Sequence, residues 1–249
     1  MNALLDARRG GLVGSCQAYP GEPMLDPRTM AQVAQAAVAG GAVGIRGKGL
    51  DDLRAMREVV SVPIIGLVKV GDTGVYITPT LADCLEVAAT GCEVVALDGT
   101  RRPRPDGLTL AETIVGLRAE YPEVLVMADC GSVDDAEAAL AAGADILGTT
   151  LAGYTGERDT TDGPDWEVVD GMVALAAASG TPRELLVAMR DRIAVAVENP
   201  NTAARDLAAL TKRLLEIVRD IEAIDARASQ EADDDAAEVE DGEFDAASV

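Results

Sequence analysis

Residues 61–80 read SVPIIGLVKVGDTGVYITPT. Val62, Ile64, Ile65, Leu67 and Val68 form a short apolar run rich in β-branched residues, with Pro63 near its start. Such a run predicts a buried strand. Lys69 ends it, and Gly71, Asp72 and Gly74 punctuate the loop that follows. A lysine is costly to bury and cheap to expose, so its position at a strand end carries information. In a parallel α/β barrel the strand C-termini converge on the face where chemistry takes place. Two readings of Lys69 stand open: a side chain snorkelling out of a strand end, or a catalytic base.

Working outward, strand and helix signals alternate on both sides of this stretch. Upstream, residues 12–17 (LVGSCQ) and 42–46 (AVGIR) predict strands, and residues 27–38 and 51–60 predict helices, with Gly40 and Gly41 ending the first. Downstream, strands are predicted at residues 93–98, 124–129 and 145–150. Helices are predicted at 81–90, 109–121, 133–142 and 164–178, the last with Pro164 in its first turn. The result is a (β/α) repeat of six units, which implies parallel strands joined by right-handed crossovers.

The rhythm changes after residue 179. A seventh strand is due and none is legible. Residues 181–197 and 203–224 show helical apolar spacing, broken at Asn199 and Pro200. They predict a helical hairpin. Residues 226–249 are acidic and poor in large apolar side chains, and composition predicts a disordered tail. The expected organisation is therefore an incomplete α/β barrel over residues 1–179, a hairpin over 180–225 and an acidic tail over 226–249.

Composition limits the chemistry. The 249 residues are 48% hydrophobic but only 2% aromatic, so the core must be aliphatic. The formal net charge of −22 argues against nucleic-acid binding through a basic face. With no histidine, every His-dependent triad and zinc site is removed, and acid–base work falls to Lys, Asp, Glu, Cys or Tyr. Cys16, Cys84, Cys92 and Cys130 lack a CxxC spacing and read as reduced thiols of a cytoplasmic protein. No apolar run reaches the ~18 residues of a membrane span. The first residues lack the basic-then-apolar pattern of a signal peptide.

Polar residues recur at the predicted strand ends: Gln17, Arg46, Lys69, Asp98, Asp129 and Thr149–Thr150. Six in register on one converging face is a stronger signal than any one alone. The segments that carry them are CQA (16–18), GIRGKG (44–49), PIIGLVKV (63–70), VYITPT (75–80), VALDGTRRPRP (95–105), MADC (127–130) and AGADILGTTLAGYT (142–155). Over roughly residues 12–169 these resemble the N-acylglucosamine-6-phosphate 2-epimerases. That family has a TIM-barrel fold and interconverts N-acetylmannosamine 6-phosphate and N-acetylglucosamine 6-phosphate in sialic acid catabolism.

By that resemblance Lys69 matches the family's catalytic lysine, and Gln17, Arg46 and Asp129 match its substrate-contacting residues. Epimerisation at C2 requires removal of a proton beside the open-chain C1 aldehyde and its return on the other face. An amine of lowered pKa can act as the base, and a guanidinium can stabilise the developing enolate oxygen. The resemblance implies a small sugar phosphate as ligand, with no metal or organic cofactor, no nucleic acid and no membrane.

The resemblance also has a boundary. The family continues with a seventh strand ending in an AEG-type motif, whose glutamate serves the active site, and with an eighth strand whose GGA-type loop binds phosphate. Glu184 and Glu198 lie in helical sequence and do not match that motif. Residues 181–225 are similar instead to short helical proteins of actinobacterial phage packaging regions, as a gene fusion or a frameshifted reading frame would produce. Three functions follow as expectations: the epimerase, with phosphate binding impaired by the missing strands; an inactive barrel fragment fused to a helical interaction module; or a phosphate-binding barrel acting on a different sugar. The hairpin's apolar stripes are expected to be buried across the open side of the sheet or in a homodimer.

Overall fold

A computed structural model of the chain describes residues 11–179, 190, 193, 194, 197 and 204–239. Its six strands are β1 (Val13–Cys16), β2 (Gly44–Lys48), β3 (Ile64–Leu67), β4 (Val94–Asp98), β5 (Leu125–Asp129) and β6 (Ile146–Gly148). They form one parallel sheet in the order β1-β2-β3-β4-β5-β6. The helices between and after them are α1 (Pro27–Ala39), α2 (Leu50–Val59), α3 (Leu81–Ala88), α4 (Leu110–Glu120), α5 (Val133–Ala141) and α6 (Trp166–Ser179). The sheet curls into a half-barrel, so the architecture is the TIM-barrel-like α/β repeat of six units that the sequence predicts.

Local chemistry sets the helix starts. Asp26 caps α1 by accepting from the Thr29 amide, with Pro27 following where its missing N–H costs nothing. Thr80 with Asp83 and Thr109 with Glu112 form reciprocal capping boxes on α3 and α4. Ser132 caps α5. At α6 the structure differs from the expectation. The helix begins at Trp166, because the Asp165 carboxylate accepts from the Val168 amide and takes the cap position. Pro164 therefore lies before the helix.

Alternation along each strand sorts side chains between two faces. Ile45, Ile64, Val95, Leu97 and Val126 are fully buried on the helix side. Two strand glycines let the helices approach on that side. A Cβ at Gly47 would lie 2.9 Å from Leu53 Cδ2 of α2, and one at Gly66 would lie 2.9 Å from Val87 Cγ1 of α3. Paired register places Ser15 beside Arg46 and Arg46 beside Ile65 on the inner face, and Asp98 beside Asp129.

Two placements depart from the sequence reading. β3 stops at Leu67, so Lys69 lies two residues past the strand, in an isolated antiparallel bridge with Ile77. β2 runs on to Lys48, so Arg46 is a mid-strand residue.

The chain divides into two compact units, Met1–Met172 and Val173–Val249. In the second, α7 (Ala204–Val239) buries Ile217 and Ile221, with Ile193 packed against them. Leu207, Leu210, Leu214 and Val218 are partly buried on the same stripe. α7 remains helical as far as Val239, inside the segment whose acidic composition predicts disorder. Alanine, glutamate, arginine and glutamine there are strong helix formers. Most of the first hairpin helix, the turn at Asn199–Pro200 and residues 240–249 lie outside the described residues.

Candidate active site

Arg46 and Asp129 meet inside the curl. Arg46 Nη2 donates to Asp129 Oδ2 at 2.5 Å, and Nη1 lies 3.3 Å from the Met127 sulfur. Thr150 Oγ1 donates to Asp129 Oδ1 at 2.7 Å. The Asp129 side chain is fully buried with both oxygens engaged, whereas Arg46 keeps 12% of its side-chain surface open. The arginine is therefore the member of the pair that a ligand can touch. A cavity of about 410 Å³ lies against it, lined by inner-face side chains that include Ser15, Ile65, Val94, Met127, Ile146 and Thr150.

Lys69 lies elsewhere. Its amine donates to the Tyr19 hydroxyl at 2.8 Å and stands 5.0 Å and 5.8 Å from the ring centroids of Tyr19 and Tyr76. Lys48 Nζ lies 3.9 Å from the Tyr19 centroid and donates to the Ala18 carbonyl. Two of the chain's three lysines thus stand on one tyrosine ring. Their cavity, about 540 Å³, is lined by Tyr19, Lys48, Val68, Lys69, Asp72 and Tyr76, among others.

The expected site residues are therefore brought together only in part. Arg46 and Asp129 are in contact, while Lys69 lines a different cavity. The buried cluster Leu67, Ile77, Ala96 and Leu151 touches both regions: Ile65 and Met127 pack on it from the arginine side, and Tyr76 from the lysine side. Gln17 donates to Ser15 Oγ at 2.9 Å, and that serine lines the arginine cavity.

Asp98, another strand-end residue, serves its own loop. Its Oδ1 accepts from the Thr100 amide and hydroxyl, and its Oδ2 accepts from Arg102 at 2.7 Å. Burial pushes the thiols of Cys84 and Cys130 up to about 12 and that of Cys92 up to about 11. Those three cysteines stay neutral at physiological pH and are poor nucleophiles or bases there. Among the described residues, no cluster of His, Cys, Asp or Glu is arranged to hold a metal ion. No described helix is long and apolar enough to cross a membrane.

Sequence reasoning missed Tyr19 and Lys48. The signal available was scarcity. In a chain with four tyrosines and three lysines, one of each sits within two residues of a predicted strand end, beside Gln17 and Arg46.

Residues 30–180 match the family model NanE, described as "Putative N-acetylmannosamine-6-phosphate epimerase". A Cutibacterium acnes protein named "Putative N-acetylmannosamine-6-phosphate 2-epimerase" is 61% identical over 170 residues, covering 68% of this chain and 74% of its own. A Lactiplantibacillus plantarum protein of the same name is 46% identical over 156 residues, covering 62% and 68% respectively. The solved N-acetylmannosamine-6-phosphate 2-epimerase of Clostridium perfringens superposes with a TM-score of 0.66 at 33% identity. That match covers 76% of this chain and 85% of the other.

Proposed function

Because the chain belongs to the N-acetylmannosamine-6-phosphate epimerase family, we propose that it inverts C2 of N-acetylmannosamine 6-phosphate by proton transfer, with Lys69 as the base. The family consists of carbohydrate-phosphate epimerases of sialic acid catabolism. In the open-chain sugar, the C2–H bond breaks and its proton passes to the Lys69 amine. The electron pair delocalises into the C1 carbonyl as an enolate. A proton from solvent is added to C2 on the opposite face to give N-acetylglucosamine 6-phosphate, and the Lys69 ammonium returns its proton to solvent. Arg46 meets the substrate and stabilises the enolate oxygen. Asp129 contributes through Arg46, whose guanidinium it holds at 2.5 Å. Gln17 contacts the substrate at the β1 end.

The observation that carries this reading is the setting of Lys69. Its amine is partly exposed in a 540 Å³ cavity at the C-terminal side of β3, with the Tyr19 hydroxyl as its hydrogen-bond acceptor. Incubation of the chain with N-acetylmannosamine 6-phosphate in deuterium oxide tests it. Deuterium should enter at C2 and the two epimers should equilibrate. Absence of both defeats the reading.

A second reading is favoured by one observation: Lys69 and the Arg46–Asp129 pair line separate cavities. It makes the chain a non-catalytic barrel fragment attached to a helical interaction module. The same exchange experiment decides between them.

A further inference from the structure

Thr78 is the non-glycine residue with positive φ among the described residues, at 42°. That region is unfavourable for a β-branched side chain. A residue stays there only where its surroundings over-determine it. Thr78 is fully buried and every polar group it has is used. Its amide donates to the Val68 carbonyl at 2.8 Å. Its hydroxyl accepts from the Val68 amide at 3.2 Å and donates to the Ala96 carbonyl of β4 at 2.6 Å. Its carbonyl accepts from Arg104 Nη2 at 3.0 Å.

Arg104 is itself buried. Its Nη1 donates to the Asp98 carbonyl at 2.8 Å, and its Nε is a buried donor with no partner. A guanidinium in such a place is unfavourable in isolation. Its two carbonyl contacts tie the segment after β3 to the end of β4.

These bonds bear on Lys69. Val68, just before it, is held by Thr78 through both amide and carbonyl. Val70, just after it, donates to the Tyr76 carbonyl at 2.9 Å. Lys69 itself pairs with Ile77. The lysine therefore sits on a short antiparallel clip whose closing residue is Thr78. Glycine would adopt the same φ without strain, but it would lack the hydroxyl that joins Val68 to Ala96.

We propose that Thr78, locked by Arg104, is a positioning residue for Lys69: it fixes the clip on which the amine is carried to the Tyr19–Tyr76 side of the cavity. This inference rests on Lys69 being the base in the proposed function. Misplacing a reacting group by about 1 Å can cost about 100-fold in rate, so the clip has catalytic leverage without touching substrate.

The test uses the full chain and the variants Thr78→Val, Thr78→Ser and Thr78→Gly, with two readouts. The first is kcat and KM for C2 exchange with N-acetylmannosamine 6-phosphate. The second is the NMR signal of Lys69 after isotopic reductive methylation, assigned by its loss in Lys69→Met. In the unmutated chain the two tyrosine rings, 5.0 and 5.8 Å from the amine, should shift that signal away from the position of the exposed Lys212. Thr78→Val, which keeps shape and loses the hydroxyl, should collapse the shift and lower kcat by about 30-fold, with KM changed less than about twofold. Thr78→Ser should keep the shift and restore kcat to within about threefold. If Thr78→Val does not fold, Thr78→Gly, whose φ is relaxed, should show the same collapse. A Lys69 signal unmoved in the folded hydroxyl-free variant overturns the proposal. A chain that exchanges no deuterium at all defeats the proposed function instead, and the lysine signal still decides the positioning claim.

Discussion

Arg46 on β2 and Asp129 on β5 form an ion pair at 2.5 Å although β3 and β4 lie between their strands. In a flat sheet those strands would be about 14 Å apart. The pair is therefore a chord across the hollow of the curl, tying residues 83 positions apart in the chain. Breaking a buried pair from one side leaves a charge uncompensated. Asp129→Ala should lower stability by about 3–5 kcal/mol in urea unfolding. A loss under about 1 kcal/mol would mean that the pair is not a structural tie.

Lys69→Met should abolish C2 deuterium exchange and leave the fold intact. The amine's hydrogen bond goes to one partly exposed tyrosine, so stability should change by less than about 1 kcal/mol. Exchange at the unmutated rate in this variant would remove Lys69 from the mechanism.

Gly66→Ala should destabilise the barrel. The new Cβ would meet Val87 Cγ1 at 2.9 Å, the Cys92 sulfur at 3.0 Å and Leu53 Cδ1 at 3.1 Å, on the helix side of β3. Overpacking of that kind costs about 1–3 kcal/mol. Thermal unfolding measures it, and an unchanged midpoint would show that α2 and α3 can move apart freely.

Stability should fall at alkaline pH through the buried thiols. Burial raises Cys84 and Cys130 to about 12 and Cys92 to about 11, from an ordinary value of 9.0. Above pH 9 the unfolded chain releases these protons and the folded one retains them, so unfolding becomes more favourable as pH rises. The contribution is complete below pH 9 and is lost toward pH 11–12, at about 1.4 kcal/mol per pH unit for each thiol. Urea unfolding at pH 8 and pH 10 should show the decline. A Cys84→Ala, Cys92→Ala, Cys130→Ala chain should show a smaller one, and an equal slope would assign the effect to other groups.

Phosphate should add little to affinity. The sheet of the described residues ends at β6, and in the resembled family the phosphate is bound by a loop after an eighth strand. Where such an anchor is missing, remote binding energy that supports catalysis is missing with it. Titration with N-acetylmannosamine 6-phosphate and with the unphosphorylated sugar should differ by less than about 100-fold, or about 2.7 kcal/mol. A larger ratio would reveal a working phosphate site.

Over residues 11–179 the sequence alone determined the order and kind of the elements. Strand and helix periods and the glycine stops act over a few residues and are legible there. The strand-end residues Asp98 and Asp129 were legible for the same reason, and so was the family, whose motifs are continuous segments.

Only the tertiary structure decided which of these residues meet. Curvature of the sheet brings Arg46 to Asp129, and no local signal measures curvature. A loop before α1 folds Tyr19 between Lys48 and Lys69. The φ of Thr78 follows from bonds to Val68, Ala96 and Arg104, on three different segments. The end of β3 at Leu67 has a similar cause: the chain leaves the parallel sheet because residues 68–70 pair antiparallel with 76–78 instead. Short-range propensity selects the elements, whereas long-range closure, which depends on every element at once, selects the site.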